Sequence, residues 1–346
     1  MLLTLKAKLL RFLLTRTWIK GHGTVEPTSV EYIDISVPNP IDALLKNPNA
    51  ECSYKALPTR ILIFFPENYN KLRQESWPVH IDLHGGGFFA GVAEQDSTQC
   101  KLIADKANCI IISVDYVKAP EYPFPAAAEQ VFSVFKWLVD EHRPDGGVKL
   151  LNVDVGRVTV GGWSAGANLG SVMCIMAHDR PHLYNSNARI LLQIPVYPPP
   201  DLYESYADRM NLYDKESDLF KKSIPIPIAL FMLKCYNPRG QTRAEAKALN
   251  QHPYMSPVYA SEAQLRFVPN ALVLNGEWDV LGDWGVVYAE TLKKAGVHVV
   301  TKRYPKAVHG WNGKPKGDPD HNSTVTEDTY RIMIEELRRV FQRKGV

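Results

Sequence analysis

The chain has 346 residues, of which 45% are hydrophobic and 22% are charged, and its formal net charge is +3 with a pI near 8.4. Outside the N-terminus, lysines and arginines are interleaved with acids, which excludes the basic patch of a nucleic-acid-binding protein. The cysteines are odd in number and lack metal-like spacing, so we expect no metal site. We interpret them as reduced packing residues of a cytoplasmic protein. They are Cys52, Cys100, Cys109, Cys174 and Cys235.

The first twenty residues combine many leucines with five basic residues and contain no acid. A secretory signal would show an uninterrupted apolar core of about 7 to 15 residues and a small-residue cleavage site, whereas charges break the run here. At helical period the basic residues scatter around the axis, so a membrane-surface helix would lack its polar face. Contact of this segment with an intracellular membrane, which would make the protein peripheral to that membrane, stays open as an alternative.

A strand-like run at Val79–Leu83 leads into His84 and three consecutive glycines, Gly85, Gly86 and Gly87. Glycines after a strand expose backbone N–H groups, and an oxyanion hole needs such donors within about 3 Å of the negative oxygen. We assign this role to Gly86 and Gly87 above all, with Gly85 in the same loop. The alternative is an ordinary glycine-rich turn, which an isolated triple glycine would favour.

The next predicted elements are a buried strand at Cys109–Val114 and a helix at Ala126–Asp140. Strands and helices alternate in this way along most of the chain. Such alternation predicts an α/β fold in which a mostly parallel central sheet is flanked by helices.

The segment Gly161–Gly166 places the pattern Gly-x-Ser-x-Gly between a short strand at Arg157–Gly161 and an apolar helix at Ala167–Ala177. A strand that turns sharply into a helix strains the central serine, and flanking glycines remove the collisions. Ser164 is therefore the candidate nucleophile, and the Ala165 amide is a further donor to the oxyanion hole. Because a serine hydroxyl is protonated at neutral pH, Ser164 needs a base and an acid that orients the base.

From Pro198 to about Ala260, an insertion rich in aromatic and methionine residues interrupts the alternation. Side chains of this kind either line an apolar pocket or fix the insertion to the core. The residues that we expect in a substrate pocket are Phe88, Trp163, Tyr203, Tyr206 and Phe231.

The acid and the base come late in the chain. A strand-like run ends at Gly276 and is followed by Asp279, with which Glu277 and Asp283 compete in the same loop. A last strand-like run then leads to a loop that carries His309. We assign Asp279 as the acid and His309 as the general base, in the order that the preceding motifs predict.

Together these motifs resemble the hormone-sensitive-lipase branch of the α/β-hydrolase superfamily. The resemblance rests on the glycine loop, on the serine elbow, on the late Asp and His loops, and on Val114–Ala126, which is similar to the family's Asp-Tyr-Arg-Leu-Ala-Pro-Glu-x-x-Phe-Pro-Ala. It implies an α/β-hydrolase fold with a helical cap over the active site. Under this resemblance, residues 1–50 are a cap segment, residues 51–200 and 261–346 the core, and residues 201–260 a cap insertion.

Two positions depart from the family pattern. Trp163 stands where Asp or another small polar residue is usual, so an indole lies beside the nucleophile and the acid that commonly braces the glycine loop is missing. Lys118 stands where a small apolar residue is usual. The triad and both flanking glycines are intact, so we expect these changes to reshape the pocket.

The expected activity is that of a serine carboxylic-ester hydrolase, which acts without a cofactor on a small to medium ester with a short acyl group, such as an acetylated secondary metabolite. A first alternative is acyl transfer, elimination or amide hydrolysis by the same triad, because a drier pocket beside Trp163 could exclude the deacylating water. A second is a ligand-binding protein on a hydrolase scaffold, although such proteins tend to lose a triad residue. The sequence leaves the choice between monomer and homodimer open.

Overall fold

The computed structural model describes residues 2–22, 24–36 and 56–342. Within them, a single sheet of eight strands forms the centre of the molecule. The strands are β1 (Ser29–Ser36), β2 (Ala56–Phe64), β3 (Trp77–Leu83), β4 (Ile110–Asp115), β5 (Val153–Trp163), β6 (Ile190–Val196), β7 (Asn270–Trp278) and β8 (Val299–Val308).

The strand order across the sheet is β1-β2-β4-β3-β5-β6-β7-β8. Strand β2 runs antiparallel to both of its neighbours, and all the other neighbouring pairs are parallel. The predicted mostly parallel sheet is thus confirmed. Because the carboxyl ends of parallel strands meet at the same edge, the loops that follow β3, β5, β7 and β8 lie together there.

Helices cover both faces of the sheet. They are α1 (Leu2–His22), α2 (Ser97–Ala107), α3 (Ala126–Val139), α4 (Gly147–Leu151), α5 (Ala165–Asp179), α6 (Tyr206–Met210), α7 (Asp218–Lys222), α8 (Ile226–Tyr236), α9 (Arg243–Asn250), α10 (Glu262–Leu265), α11 (Val280–Lys294) and α12 (Ser323–Phe341).

The alternation of side chains along the strands divides the core into two layers. On β2, Ile61 and Ile63 belong to the layer that includes α3 and α5, whereas Leu62 and Phe64 belong to the layer that includes α2 and α12. Parallel strands buried on both faces are expected to be almost continuously apolar. Strand β3 fits this expectation, since all seven of its residues are buried.

The N-terminal helix α1 lies against the loop that follows β3. The guanidinium of Arg11 donates hydrogen bonds to the carbonyl oxygens of Phe89 (2.6 Å) and Ala119 (2.9 Å) and pairs with Glu121 (2.8 Å). The residues of α1 that pack against the core are Leu3, Ala7, Leu10 and Leu14. The strand β1, which follows α1 within the first fifty residues, pairs with β2 in the central sheet. The division of the chain into cap and core stays a prediction.

The cysteines that the structure describes, Cys100, Cys109, Cys174 and Cys235, are all buried and free of disulfides. Cys52 lies outside the described residues. None of the described helices is long and apolar enough to cross a membrane.

Candidate active site

The turn between β5 and α5 carries Ser164 in a backbone conformation that only few non-glycine residues adopt, with φ 53° and ψ −117°. A Cβ atom on Gly162 would lie 2.5 Å from the carbonyl carbon of Gly166, and one on Gly166 would lie 2.0 Å from the carbonyl oxygen of Leu83. Both glycines are therefore required for the close approach of helix and sheet. This geometry is the strained turn that the sequence predicts.

The glycine loop passes directly beside this turn, because β3 and β5 are neighbours in the sheet. A Cβ atom on Gly85 would lie 3.5 Å from the Cβ of Ser164. Gly86 and Gly87 have φ values of 129° and 58°, which favour glycine. The structure thus brings all three predicted loop glycines next to Ser164 and Ala165, where backbone amides can meet an oxyanion.

The loops after β7 and β8 bring Asp279 and His309 to Ser164. The Nε2 atom of His309 lies 2.9 Å from the Oγ of Ser164, and its Nδ1 lies 2.7 Å from the Oδ2 of Asp279. These contacts fit a tautomer in which Nδ1–H donates to the carboxylate and Nε2 accepts from the serine hydroxyl. The carboxylate of Asp279 is fully buried, and its Oδ1 accepts a hydrogen bond from the Leu281 amide at 3.1 Å.

The two acids that compete with Asp279 in the sequence contact other groups. Glu277 accepts a hydrogen bond from the backbone amide of Lys306 at 2.8 Å. Asp283 pairs with Arg303 at 2.9 Å and accepts a hydrogen bond from the hydroxyl of Tyr213. Of the three candidates, Asp279 is the one that contacts the imidazole of His309.

Tyr197, which the sequence analysis missed, fixes the position of His309. Its ring packs edge-on against the imidazole at a centroid distance of 4.7 Å, and its hydroxyl donates a hydrogen bond to Asn312. It has a positive φ of 38°, directly after β6 and before the run of prolines that begins the insertion. A tyrosine at a strand end carries no pattern of its own, so only the fold reveals this contact.

Ser164 lies on the wall of two cavities. The smaller, about 80 Å³, is lined mainly by apolar side chains from the insertion and from α11, including Leu202, Leu230, Leu281 and Trp284. The larger, about 340 Å³, contains His309 and is bordered by a set of polar residues. These polar residues are Gln95, Asp96, Asn312, Lys314 and Asp318. A still larger cavity of about 510 Å³ lies elsewhere, between α2 and the end of α12, and contains none of the predicted site residues.

Three of the five predicted pocket residues line these two cavities: Phe88 and Tyr206 the apolar one, and Trp163 the polar one. The other two do not. Tyr203 packs edge-on against Tyr259, and Phe231 packs edge-on against Phe89. Phe231 fixes α8 to the glycine loop, while its neighbour Met232 lines both cavities and was missed.

The indole of Trp163 is almost fully buried, at 2% exposure, and connects two strands below the nucleophile. Its Nε1 donates a hydrogen bond of 3.3 Å to Asp82 on β3, which also accepts one from Ser113 at 3.2 Å. Burial raises the pKa of Asp82 to about 6, although these hydrogen bonds act to lower it. The indole thus contacts the strand that leads into the glycine loop.

Lys118, the second departure from the family pattern, belongs to the support of the glycine loop. Its ammonium pairs with Asp115 at 3.0 Å and lies 4.3 Å from the centre of the Tyr116 ring, which stacks on His84. Burial, with the charge of Lys118, lowers the pKa of His84 to about 3. The neutral imidazole can therefore donate from Nδ1 to the carbonyl oxygen of Gly85 at 2.7 Å.

Comparison with known proteins places this site in a family. Residues 80–312 match the family model described as alpha/beta hydrolase fold. The chain is 30% identical to an arylesterase of Saccharolobus solfataricus over 72% of each protein, and 30% identical to the esterase LipI of Mycobacterium tuberculosis over 75% of this chain and 72% of that protein. The structure resembles that of a hyperthermophilic esterase from the archaeon Pyrobaculum calidifontis, with a TM-score of 0.72 and 26% identity, covering 96% of this chain and 93% of that one.

Proposed function

Because this chain belongs to the hormone-sensitive-lipase-like branch of the α/β-hydrolase fold family and is a carboxylic-ester hydrolase, we propose that Ser164, His309 and Asp279 cleave the ester through an acyl-enzyme. The observation that carries this proposal is the continuous chain of contacts from the serine hydroxyl through the imidazole to the buried carboxylate, at 2.9 Å and 2.7 Å. That chain supplies the nucleophile, the base and the group that orients the base.

In the first step, His309 removes the proton of Ser164 as the serine oxygen attacks the ester carbonyl. Asp279 holds the imidazole in the tautomer that accepts this proton and stabilises the charged form. The amides of Gly86, Gly87 and Ala165 donate to the negative oxygen of the tetrahedral intermediate. Collapse releases the alcohol, to which His309 returns the proton, and water activated by the same imidazole then frees the acid.

The two cavities support a separate position for each half of the ester. The leaving alcohol must face the imidazole that protonates it, and His309 lies on the wall of the larger cavity. The acyl group then occupies the smaller, apolar cavity of about 80 Å³, which favours a short chain such as acetyl. The substrate class in this proposal is a small to medium ester with a short acyl group, which includes acetylated metabolites.

The test is hydrolysis of 4-nitrophenyl acetate and butyrate by the wild type and by the Ser164→Ala variant. We expect the variant to lose about 10⁴-fold or more in kcat, because removal of the nucleophile leaves only binding and the oxyanion donors. Ser171→Ala, which changes another buried serine of α5, is the matched control and keeps its activity. Undiminished hydrolysis by a folded Ser164→Ala protein would refute the proposal.

A further inference from the structure

The larger cavity beside Ser164 contains a carboxyl group for which the triad has no use. Asp96 lies in its wall, on the same cavity surface as the glycine loop and His309. The residue is 2% exposed, and its Oδ2 atom has no hydrogen-bond partner among the residues that the structure describes. Buried polar atoms are nearly always paired, so an unpaired carboxyl oxygen at the wall of a cavity calls for a partner that enters the cavity.

One neighbour in the fold interacts with this carboxyl group: hydrogen bonding by the side chain of Gln99 acts to lower the pKa of Asp96, against the larger effect of burial. Asp96 precedes the first residue of α2, a position where aspartate normally accepts a hydrogen bond from the first helical turn, yet its side chain makes no such bond. Among the described residues, the Nε2 of Gln99 also lacks a partner at hydrogen-bond distance, whereas its Oε1 is paired. The Oε1 of Gln99 accepts hydrogen bonds from Asn312 at 3.3 Å and from Tyr330 at 2.9 Å, and Asn312 in turn accepts one from Tyr197.

The surroundings favour a neutral carboxyl group. Burial, followed by the charge of the neighbouring Asp82, raises the pKa of Asp96 well above its usual range. A protonated carboxyl group both donates and accepts hydrogen bonds, as a hydroxyl group does. The group that suits Asp96 is therefore an uncharged hydroxyl and not an ammonium ion, whose binding would require the ionised carboxylate.

We propose that Asp96 binds a hydroxyl group on the alcohol half of the substrate, so that the enzyme selects short-chain esters of hydroxylated alcohols over esters of plain alkyl alcohols. This inference rests on the proposed function, because it takes the cavity that contains His309 as the site of the leaving alcohol. Asp96 is then a specificity-determining residue, which contacts the substrate away from the bond that breaks.

The test compares acetate esters in matched pairs, in which a terminal hydroxyl group replaces a methyl group. The pairs are 2-hydroxyethyl with propyl acetate, 3-hydroxypropyl with butyl acetate, and 4-hydroxybutyl with pentyl acetate, so that the hydroxyl group reaches to three depths. For the wild type we expect kcat/KM to favour the hydroxylated ester in at least one pair by about tenfold, the effect of one buried hydrogen bond. This comparison needs no variant.

In the variants, Asp96→Leu keeps the branched shape of the side chain but removes both hydrogen-bonding atoms, and we expect the ratio of kcat/KM within each ester pair to fall to about one. Asp96→Asn, which still donates and accepts, retains the preference. Asp105→Asn is the matched control, because it changes a carboxylate of α2, the helix that Asp96 precedes, and this carboxylate pairs with Lys101. We expect it to leave the preference intact.

Equal kcat/KM within every ester pair, in a wild type that hydrolyses 4-nitrophenyl acetate, would overturn the role of Asp96 and leave the proposed function standing. A preference that survives in Asp96→Leu would overturn it as well. A wild type that hydrolyses none of the esters would overturn both proposals. A purely structural role would lower the melting temperature and the rates on both members of each pair together, without a change in their ratio.

Discussion

The glycine loop can take its position beside Ser164 because Gly86 has no side chain. Its φ of 129° and the 2.2 Å between a Cβ atom and the Ala90 carbonyl oxygen leave no room for a side chain. We predict that Gly86→Ala displaces the glycine loop from Ser164 and lowers kcat by about a hundredfold to a thousandfold, the usual effect of one lost oxyanion donor. Steady-state kinetics on 4-nitrophenyl acetate would measure this loss.

The control for this prediction is Gly240→Ala. Gly240 also has a positive φ, of 81°, but no heavy atom lies within 4 Å of its Cβ position. The substitution should therefore lower stability by about 1 kcal/mol through backbone strain and leave kcat unchanged. If Gly86→Ala kept wild-type kcat, the assignment of the Gly86 amide to the oxyanion hole would be wrong.

At the scale of residues, the sequence could predict which side chains meet at the site when each of them follows the end of a strand. Ser164, Asp279 and His309 come directly after parallel strands, so the topology alone brings them to one edge. Tyr203 and Phe231 lie in an insertion without strands, where the direction of a side chain depends on the packing of helices. Composition could identify the aromatic block but could not say which of its residues line a cavity.

The side chain of Arg11 joins helix α1 to the segments that follow the glycine loop and β4. Arg11 donates to the carbonyl oxygens of Phe89 and Ala119 and pairs with Glu121. We predict that Arg11→Ala loosens α1 and leaves these buried carbonyls without donors, which costs about 1 to 3 kcal/mol of stability. Because Phe89 follows the oxyanion loop, kcat should fall severalfold as well. Denaturant unfolding and steady-state kinetics would measure the two effects.

Lys6→Ala provides the matched control, since Lys6 is an exposed cation of the same helix. It removes one positive charge from α1 and should alter neither stability nor kcat by a measurable amount. An Arg11→Ala enzyme with the stability and kcat of the wild type would show that α1 is not needed to hold the loop.

At the scale of elements, hydrophobic patterns predicted the core strands and helices but not the whole of each. The strand before the nucleophile extends from Val153 to Trp163, although only Arg157–Gly161 has a strand-like pattern. Residues 154–157 are only partly buried, so the first half of the strand lacks a continuous apolar signal. Strand β1, which lies at an edge of the sheet and pairs with β2, falls within residues 1–50, for which the family resemblance implies a cap segment.

The stability of the whole molecule in acid depends on buried histidines and buried carboxyl groups, whose effects on the free energy of unfolding have opposite signs. Burial lowers the pKa of His80 and of His84 to about 3, so both imidazoles stay neutral in the folded state. Burial raises the pKa of Asp82 to about 6 and that of Asp96 also upward. As the pH falls, the histidines therefore favour the unfolded chain, which can bind their protons, whereas the carboxyls favour the folded protein.

His80 allows one of these opposing contributions to be isolated. Its imidazole contacts Thr159 through Nδ1 at 2.9 Å and lies apart from the catalytic groups. With a pKa lowered from 6.5 to about 3 on folding, it costs the wild type stability as the pH falls below about 6.5, by about 1.4 kcal/mol for each pH unit. We predict that His80→Gln, which cannot take up a proton, gains stability relative to the wild type by that amount between about pH 6 and pH 5.

Urea unfolding at a series of pH values would measure this difference, in which the contributions of Asp82, Asp96 and His84 cancel because both proteins contain them. The stability that His80→Gln loses with the contact to Thr159 is the same at every pH. The test is therefore the change of the stability difference with pH, and not its absolute size. His142→Gln, which removes an exposed histidine by the same substitution, is the matched variant for comparison. A zero slope for His80→Gln would mean that the folded protein admits a proton at His80 as readily as the unfolded chain does.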